Sequence, residues 1–393
     1  MRNDVGVAKP GESGTIVALD KRPVLICFSH LRWDFVFQRP QHLMSRFARS
    51  HSVHVWEEPI FVSTLVEPHL ETRRAAQNLT IVTPHLAEGL SEAVVESQLK
   101  RLLDNYHAAQ NPQVLWYYTP MMLPFSRQLE AGCIVYDCMD ELANFRFAPP
   151  RLLDLEAELF ERADLVFTGG YSLYEAKRSR HGSVHPFPSS VDIKHFAQAR
   201  AIPTENKSPT FGFYGVLDER FDIDLLAAVA DARPDWRFVM VGPIVKISID
   251  ELPKRDNIFY PGPAAYEDLP GLLAEWDVAL MPFAINDATR FISPTKTPEY
   301  LAAGKPVVST PIRDVIRHYG RLEGVKIATT PEEFAKGCDE ALALTRSDGE
   351  WLAQVDQALS SMSWDITQAR MAGLIARVVG EGQESTALTE ATA

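Results

Sequence analysis

From Pro23 onward the chain alternates short apolar runs with longer stretches in which apolar residues recur at helical spacing. Pro23-Val24-Leu25-Ile26-Cys27-Phe28 is apolar throughout, which predicts a strand buried on both faces. Similar runs predict strands over 53–56, 79–83, 114–118, 134–136 and 165–168. Helices are expected between several of them, over 38–49, 91–106 and 150–162, with Pro40 tolerated in a first turn. The pattern stops at 201–209, a polar stretch holding Pro203 and Pro209, and then restarts. Strands follow over 210–214, 238–241, 258–259, 278–281 and 307–309, with helices over 223–232, 269–275, 297–303 and 365–379. Alternating helices and doubly buried strands mean parallel sheets covered on both sides, an α/β fold of two Rossmann-like, doubly wound domains facing across a cleft. The expected division is a flexible leader (1–22), a first domain (23–200), a linker (201–209), a second domain (210–363), a last helix (364–380) and a disordered tail (381–393).

Composition narrows the classes. At 393 residues, 46% hydrophobic and 23% charged, the chain has apolar material for two cores. A net charge of -13 is the reverse of a nucleic-acid binder's basic footprint. Cys27, Cys133, Cys138 and Cys338 show neither C-x-x-C nor Cys/His ligand spacing, so neither a disulfide framework nor a structural zinc site is expected. Cys27 and Cys133 lie in apolar runs and read as buried thiols, which suits a reducing cytosol. No run reaches the ~18 apolar residues of a spanning helix, and residues 1–22 lack the apolar core of a signal peptide. A cytoplasmic protein is expected.

Ligands in such sheets sit beyond the carboxyl ends of strands, so the loops there are searched first. Ser293-Pro294-Thr295-Lys296-Thr297-Pro298-Glu299 enters a short helix that Gly304 closes. Lys296 opposes the helix dipole unless an anion lies close by, and Glu299 in the first turn suits ribose hydroxyls. The alternative is a surface helix in which Glu299 serves only the dipole. Tyr214-Gly215-Val216-Leu217-Asp218-Glu219-Arg220 is a second strand-to-helix loop. Arg220 has the planar fork for phosphate oxygens, or else pairs with Asp218 or Asp222. Asp137, Asp140 and Glu141 follow an apolar run, and carboxylates crowded at a strand end raise one another's pKa, which suits acid–base work. Helix capping by Asp137 or Asp140 is the alternative. The loop over 29–42 gathers His30, Arg32, Trp33, Asp34 and Arg39. Aromatic faces suit sugar rings and the arginines an anion. A solvated Arg39 beside a buried Trp33 is the plainer account.

Taken in order, these segments resemble the GT-B glycosyltransferases, particularly the large retaining group called family 4. That group typically reads E-x7-E, a small-residue helix and G-x-P-V-V. Glu299 matches the second glutamate and Gly304-Lys305-Pro306-Val307-Val308 the ending. Phe291 stands at the first glutamate, with Asp287 nearby as a replacement. The stretch from Phe213 to Leu226 resembles strand–G-R-L-x-x-x-K–helix, with Val216 at the Arg position and Arg220 at or near the Lys. Residues 163–173 and 186–196 resemble A-D-x-V-x-x-x-S-x-x-L and P-N-G-V-D-x-x-x-F, with Ser189-Ser190 in place of Asn-Gly.

The resemblance, spanning 24–379, implies a GT-B fold whose last helix crosses back to the first domain. It implies transfer of a sugar from a nucleotide diphosphate sugar to an acceptor hydroxyl, with retention, in bacterial exopolysaccharide, capsule or cell-wall polysaccharide synthesis. Gly215, Arg220, Pro294, Thr295, Lys296 and Glu299 would bind the donor, Arg32, Trp33, Asp34 and Arg39 the acceptor, and Asp137, Asp140 and His30 would serve catalysis. No metal and no cofactor besides the donor are implied. A lipid-linked carbohydrate acceptor suggests weak inner-membrane contact through Lys100-Arg101 or Lys177-Arg178-Ser179-Arg180-His181, and no nucleic acid. An inverting enzyme with an aspartate base, a GT-B epimerase and a non-catalytic GT-B subunit stay open at this point.

Overall fold

The computed structural model describes residues 22–64, 67–204, 208–347 and 349–392, so the expected leader lies outside it apart from Arg22. Among the described residues the first sheet has nine strands: β1 (Val24–Phe28), β2 (Ser52–Trp56), β3 (Ile60–Val62), β4 (His69–Ala76), β5 (Leu79–Ala87), β6 (Val114–Tyr117), β7 (Cys133–Cys138), β8 (Leu165–Thr168) and β9 (Val184–Pro186). They lie in the order β3-β5-β2-β1-β6-β7-β8-β9, parallel throughout, and β4 adds antiparallel to β5. The second sheet holds β10 (Thr210–Tyr214), β11 (Arg237–Val241), β12 (Ile258–Gly262), β13 (Val278–Met281), β14 (Val307–Ser309) and β15 (Val325–Ile327), in the order β12-β11-β10-β13-β14-β15 and all parallel. Both sheets are doubly wound, and their carboxyl ends face one cleft.

The all-apolar strands are central and buried on both faces, because only helices on each side remove both sets of side chains from water. Separate cores result. Two apolar layers flank the first sheet and a third cluster builds the second domain. The last helix, Trp364–Thr392, sends Trp364, Met371 and Ile375 into the first domain's core, so it does cross back.

Three expectations change. The domain boundary lies earlier than 200. Phe187 belongs to the first core, whereas Val191, Phe196 and Ala199 belong to the second. The chain therefore crosses near 187–191, where Val191 N–H donates to Met362 O at 2.9 Å beside the return crossing. The expected disordered tail continues the last helix to Thr392, since its Ala, Glu and Gln are good helix formers. Finally, β4 was not foreseen. Its side chains are mostly exposed, so it shows no apolar run.

Candidate active site

Two adjoining cavities occupy the cleft. The smaller, about 90 Å³, is lined from the first domain by Gln38, Arg39, Met139, Asp140 and Gly169, from the crossing by Ser189, and from the second by Arg220, Phe283, Ile292, Ser293, Pro294, Thr295 and Lys296. The larger, about 400 Å³, lies between 33–37 of the first domain and the carboxyl ends of β10, β11 and β12. Tyr214, Gly215, Gly242, Pro243, Pro263 and Tyr266 line its second-domain side.

Lys296 is set by what β10 leaves open. Gly215 has φ 138°, and a Cβ there would lie 2.2 Å from Lys296 Cε, so glycine lets the lysine lie across the strand end. The ammonium sits 5.7 Å from the Phe213 ring centroid and forms no ion pair among the described residues. Burial first, and then the Arg220 charge, lower its pKa to about 8. Arg220 follows the bland expectation in part. Its Nε lies 2.9 Å and 3.1 Å from the Asp218 oxygens and Nη2 2.6 Å from Oδ2. Nη1 has no partner among the described residues, and the residue lines the smaller cavity. The expected pairing with Asp218 is present, and it leaves the residue on the cavity wall.

Glu299 departs from its expected role. It is buried, lines neither cavity, and accepts a hydrogen bond at Oε2 from the Tyr214 hydroxyl. Burial raises its pKa to about 7. Tyr214, not this carboxylate, lines the larger cavity. Phe291 packs on the first domain's core across the cleft, so an apolar domain contact replaces the polar group its position suggested. Asp287 is exposed on a turn, lines neither cavity, and offers its carbonyl to Asn144 Nδ2 at 3.0 Å. It is no substitute for the absent glutamate. The helix Lys296–Ala302 has only seven residues, so the two cations, rather than the helix end, supply the positive field.

In the first domain, Asp140 reaches the smaller cavity from just beyond β7. Burial lifts its pKa to about 6, against the lowering effect of Arg220, Arg39 and Lys296. Asp137 does not reach it. Its side chain is wholly buried and is gripped by Arg39, with Nη2 at 2.8 Å from Oδ1 and Nε at 3.0 Å from Oδ2. Nη1 of Arg39 donates to Phe187 O at 2.7 Å. All three guanidinium nitrogens have partners inside the fold, so Arg39 serves first to hold Asp137, whose side chain has no exposed oxygen to act as a base. Arg32 is held by Glu57 at 3.0 Å through Nη1 and by Pro59 O at 3.2 Å through Nη2, and it lines neither cavity. Trp33 and Asp34 line the larger cavity, facing the second domain's strand ends, which makes them walls of that space rather than of a separate acceptor site. His30 lines neither cavity. Burial and the nearby Lys246 lower its pKa to about 4, so it is neutral at pH 7.

Several cleft residues were missed. Ser189 and Ser293 pin the domains together, the Ser189 hydroxyl donating to Ser293 O. Gly169 and Gly170 lie inside the stretch 163–173, whose resemblance does not single them out. A Cβ on Gly170 would meet Asp314 Oδ2 at 2.2 Å, and Asp314 Oδ1 accepts Ser172 N–H at 3.0 Å across the seam. The paired glycines were the available signal. Among the described residues no three His, Cys, Asp or Glu side chains converge as a metal site, and no helix is long and apolar enough to cross a membrane.

Residues 208–343 match the model of the Glycosyl transferases group 1 family. The chain is 26% identical over 254 residues to a putative teichuronic acid biosynthesis glycosyltransferase, TuaH, of Bacillus subtilis, covering 58% of this chain and 63% of that relative. It thus spans less than two thirds of the relative's length. Among solved structures, sucrose-phosphate synthase of Thermosynechococcus elongatus is 16% identical with a TM-score of 0.68, covering 92% of this chain and 100% of that one. HepE of Anabaena, solved with UDP and glucose, is 13% identical with a TM-score of 0.67, covering 90% and 99%. The chain therefore has the GT-B fold, and its second half is similar to the Glycosyl transferases group 1 family.

Proposed function

We propose that the protein is a glycosyltransferase that moves a sugar from a nucleotide diphosphate sugar to an acceptor hydroxyl in cell-surface polysaccharide assembly. One observation carries this reading. Lys296 without an ion pair and Arg220 with a free Nη1 line the same cavity, and Asp140 faces them from the opposite domain. The departing diphosphate gains charge as the glycosidic bond breaks, and fixed cations in a poorly solvated corner stabilise that charge. The larger cavity takes the nucleoside, between Tyr214, Gly215 and Gly242 on one side and Trp33 to Phe37 on the other. Similarity to a teichuronic acid enzyme supports a cell-wall polymer as the product class.

Retention by front-face attack needs no protein nucleophile and agrees with the family resemblance. Inversion is the second reading, and Asp140, raised to about 6 beside the cations, is the residue that favours it as a base. Membrane contact is left with little charge to use. Lys177 and Arg180 are committed to Glu156, and Lys100 lies 2.7 Å from Asp104. A lipid-linked acceptor would be met weakly and in a salt-sensitive way. The experiment is a screen of nucleotide sugars for binding and slow hydrolysis, with product stereochemistry read by NMR. Absence of binding across the panel overturns the proposal.

A further inference from the structure

The loop that follows β7 crosses the cleft. Its first-domain end is held by Glu141, 2.9 Å from the Lys177 ammonium. Its far end is held by the second domain. Asn144 Nδ2 donates to Asp287 O at 3.0 Å, and Arg146 N–H donates to Glu219 Oε1 at 3.1 Å. Between these anchors the Phe145 ring lies close to two cations of the other domain. Its ring centroid lies 5.4 Å from Arg220 Cζ and 5.1 Å from Lys246 Nζ. Both distances are inside the ~6 Å range of attraction to a ring face.

Each cation also has a carboxylate of its own domain. Arg220 has Asp218, and Lys246 has Glu219 at 3.2 Å. The carboxylate fixes one edge of the Arg220 guanidinium, and the ring adds a second constraint from the first domain. Together they leave Nη1 to the cavity. We propose that Phe145 is a positioning residue, which holds Arg220 from across the cleft so that the diphosphate corner is complete only when this loop is seated. The inference rests on the donor-site reading above. It makes diphosphate affinity depend on a side chain that belongs to the other domain and touches no ligand.

The test is calorimetry with UDP, GDP and ADP, using whichever binds the wild type most tightly. Phe145→Leu keeps the bulk and removes the ring face, and should weaken binding roughly 3–10-fold, while Phe145→Trp should stay within about 2-fold of wild type. In an Arg220→Ala background, Phe145→Leu should have no further effect, since the ring acts through that arginine. Phe145 is only half-buried, so both variants should melt near the wild type, and Phe145→Met replaces the leucine variant should it not fold. Wild-type affinity in Phe145→Leu with weakened Arg220→Ala overturns the positioning role and leaves the donor site standing. The same loss in both backgrounds also overturns it, because the ring would then act without Arg220. Wild-type affinity in Arg220→Ala removes the donor-site reading and this inference with it.

Discussion

Two arginine–aspartate pairs meet the same small cavity, one from each domain. In both, the guanidinium takes the carboxylate through Nε and Nη2. The Arg39–Asp137 side chains are 5% and 0% exposed, and the third nitrogen is consumed by Phe187 O. The Arg220–Asp218 side chains are 25% and 7% exposed, and the third nitrogen has no partner among the described residues. Residue type and pairing geometry do not separate a structural arginine from a ligand-binding one. What separates them is how many donors remain after the pair has formed, and whether solvent or a ligand can reach them.

The comparison breaks most visibly in stability. Asp137→Ala leaves a guanidinium buried without its counter-charge and should cost about 3–5 kcal/mol. Asp218→Ala leaves Arg220 partly hydrated and should cost about 1 kcal/mol or less. Denaturant unfolding of the two variants checks this, and equal losses would show that the pairs do not differ as described.

Turnover should then divide the two first-domain aspartates. Asp140→Asn should reduce transfer ~10²-fold if the group acts as acid or base, with nucleoside diphosphate affinity nearly unchanged. Undiminished turnover would remove Asp140 from the chemistry and favour base-free retention. On the second-domain side, Arg220→Ala and Lys296→Ala should each weaken nucleoside diphosphate binding by roughly 1–3 kcal/mol on the scale of charged hydrogen bonds, without the stability loss of Asp137→Ala. Unchanged affinity in both would sink the donor site.

The fold was largely legible because its central strands are apolar on both faces. The expected strands over 210–214, 278–281 and 307–309 and the helix over 223–232 coincide with the observed ones. Exposed β4 carried no such pattern, and Pro203 and Pro209 drew the boundary past the true crossing, where Ser189 and Ser190 are unremarkable in composition. The second-domain half of the candidate site was the more legible because Arg220 sits in the loop after β10 and Lys296 opens the helix after β13, both close to their motif. The first-domain half was not. Arg39 finds Asp137 across 98 positions, Glu299 is answered by Tyr214 from another element, and Phe145 meets Arg220 only once the domains face each other. No local spacing encodes those partners.

The smallest expected effect concerns the unpaired lysine and follows from its protonation. Lys296 titrates at about 8 in the free protein. A bound diphosphate favours the ammonium, so the pKa of Lys296 is higher in the complex than in the free protein. Affinity is therefore complete below about 8 and falls as pH rises above it, by at most ~10-fold per pH unit, until the bound-state pKa is reached. Phosphate groups complete their ionisation near ~6 and Asp140 titrates at about 6, so neither changes charge on the alkaline side. Calorimetry at about pH 7.5 and about pH 9.5 should show a drop of roughly 10-fold in the wild type. Lys296→Arg keeps a cation that stays charged over this range, and its profile should be flat. A wild-type profile as flat as that of Lys296→Arg would mean that the ammonium does not meet the diphosphate, and Arg220 alone would have to account for binding.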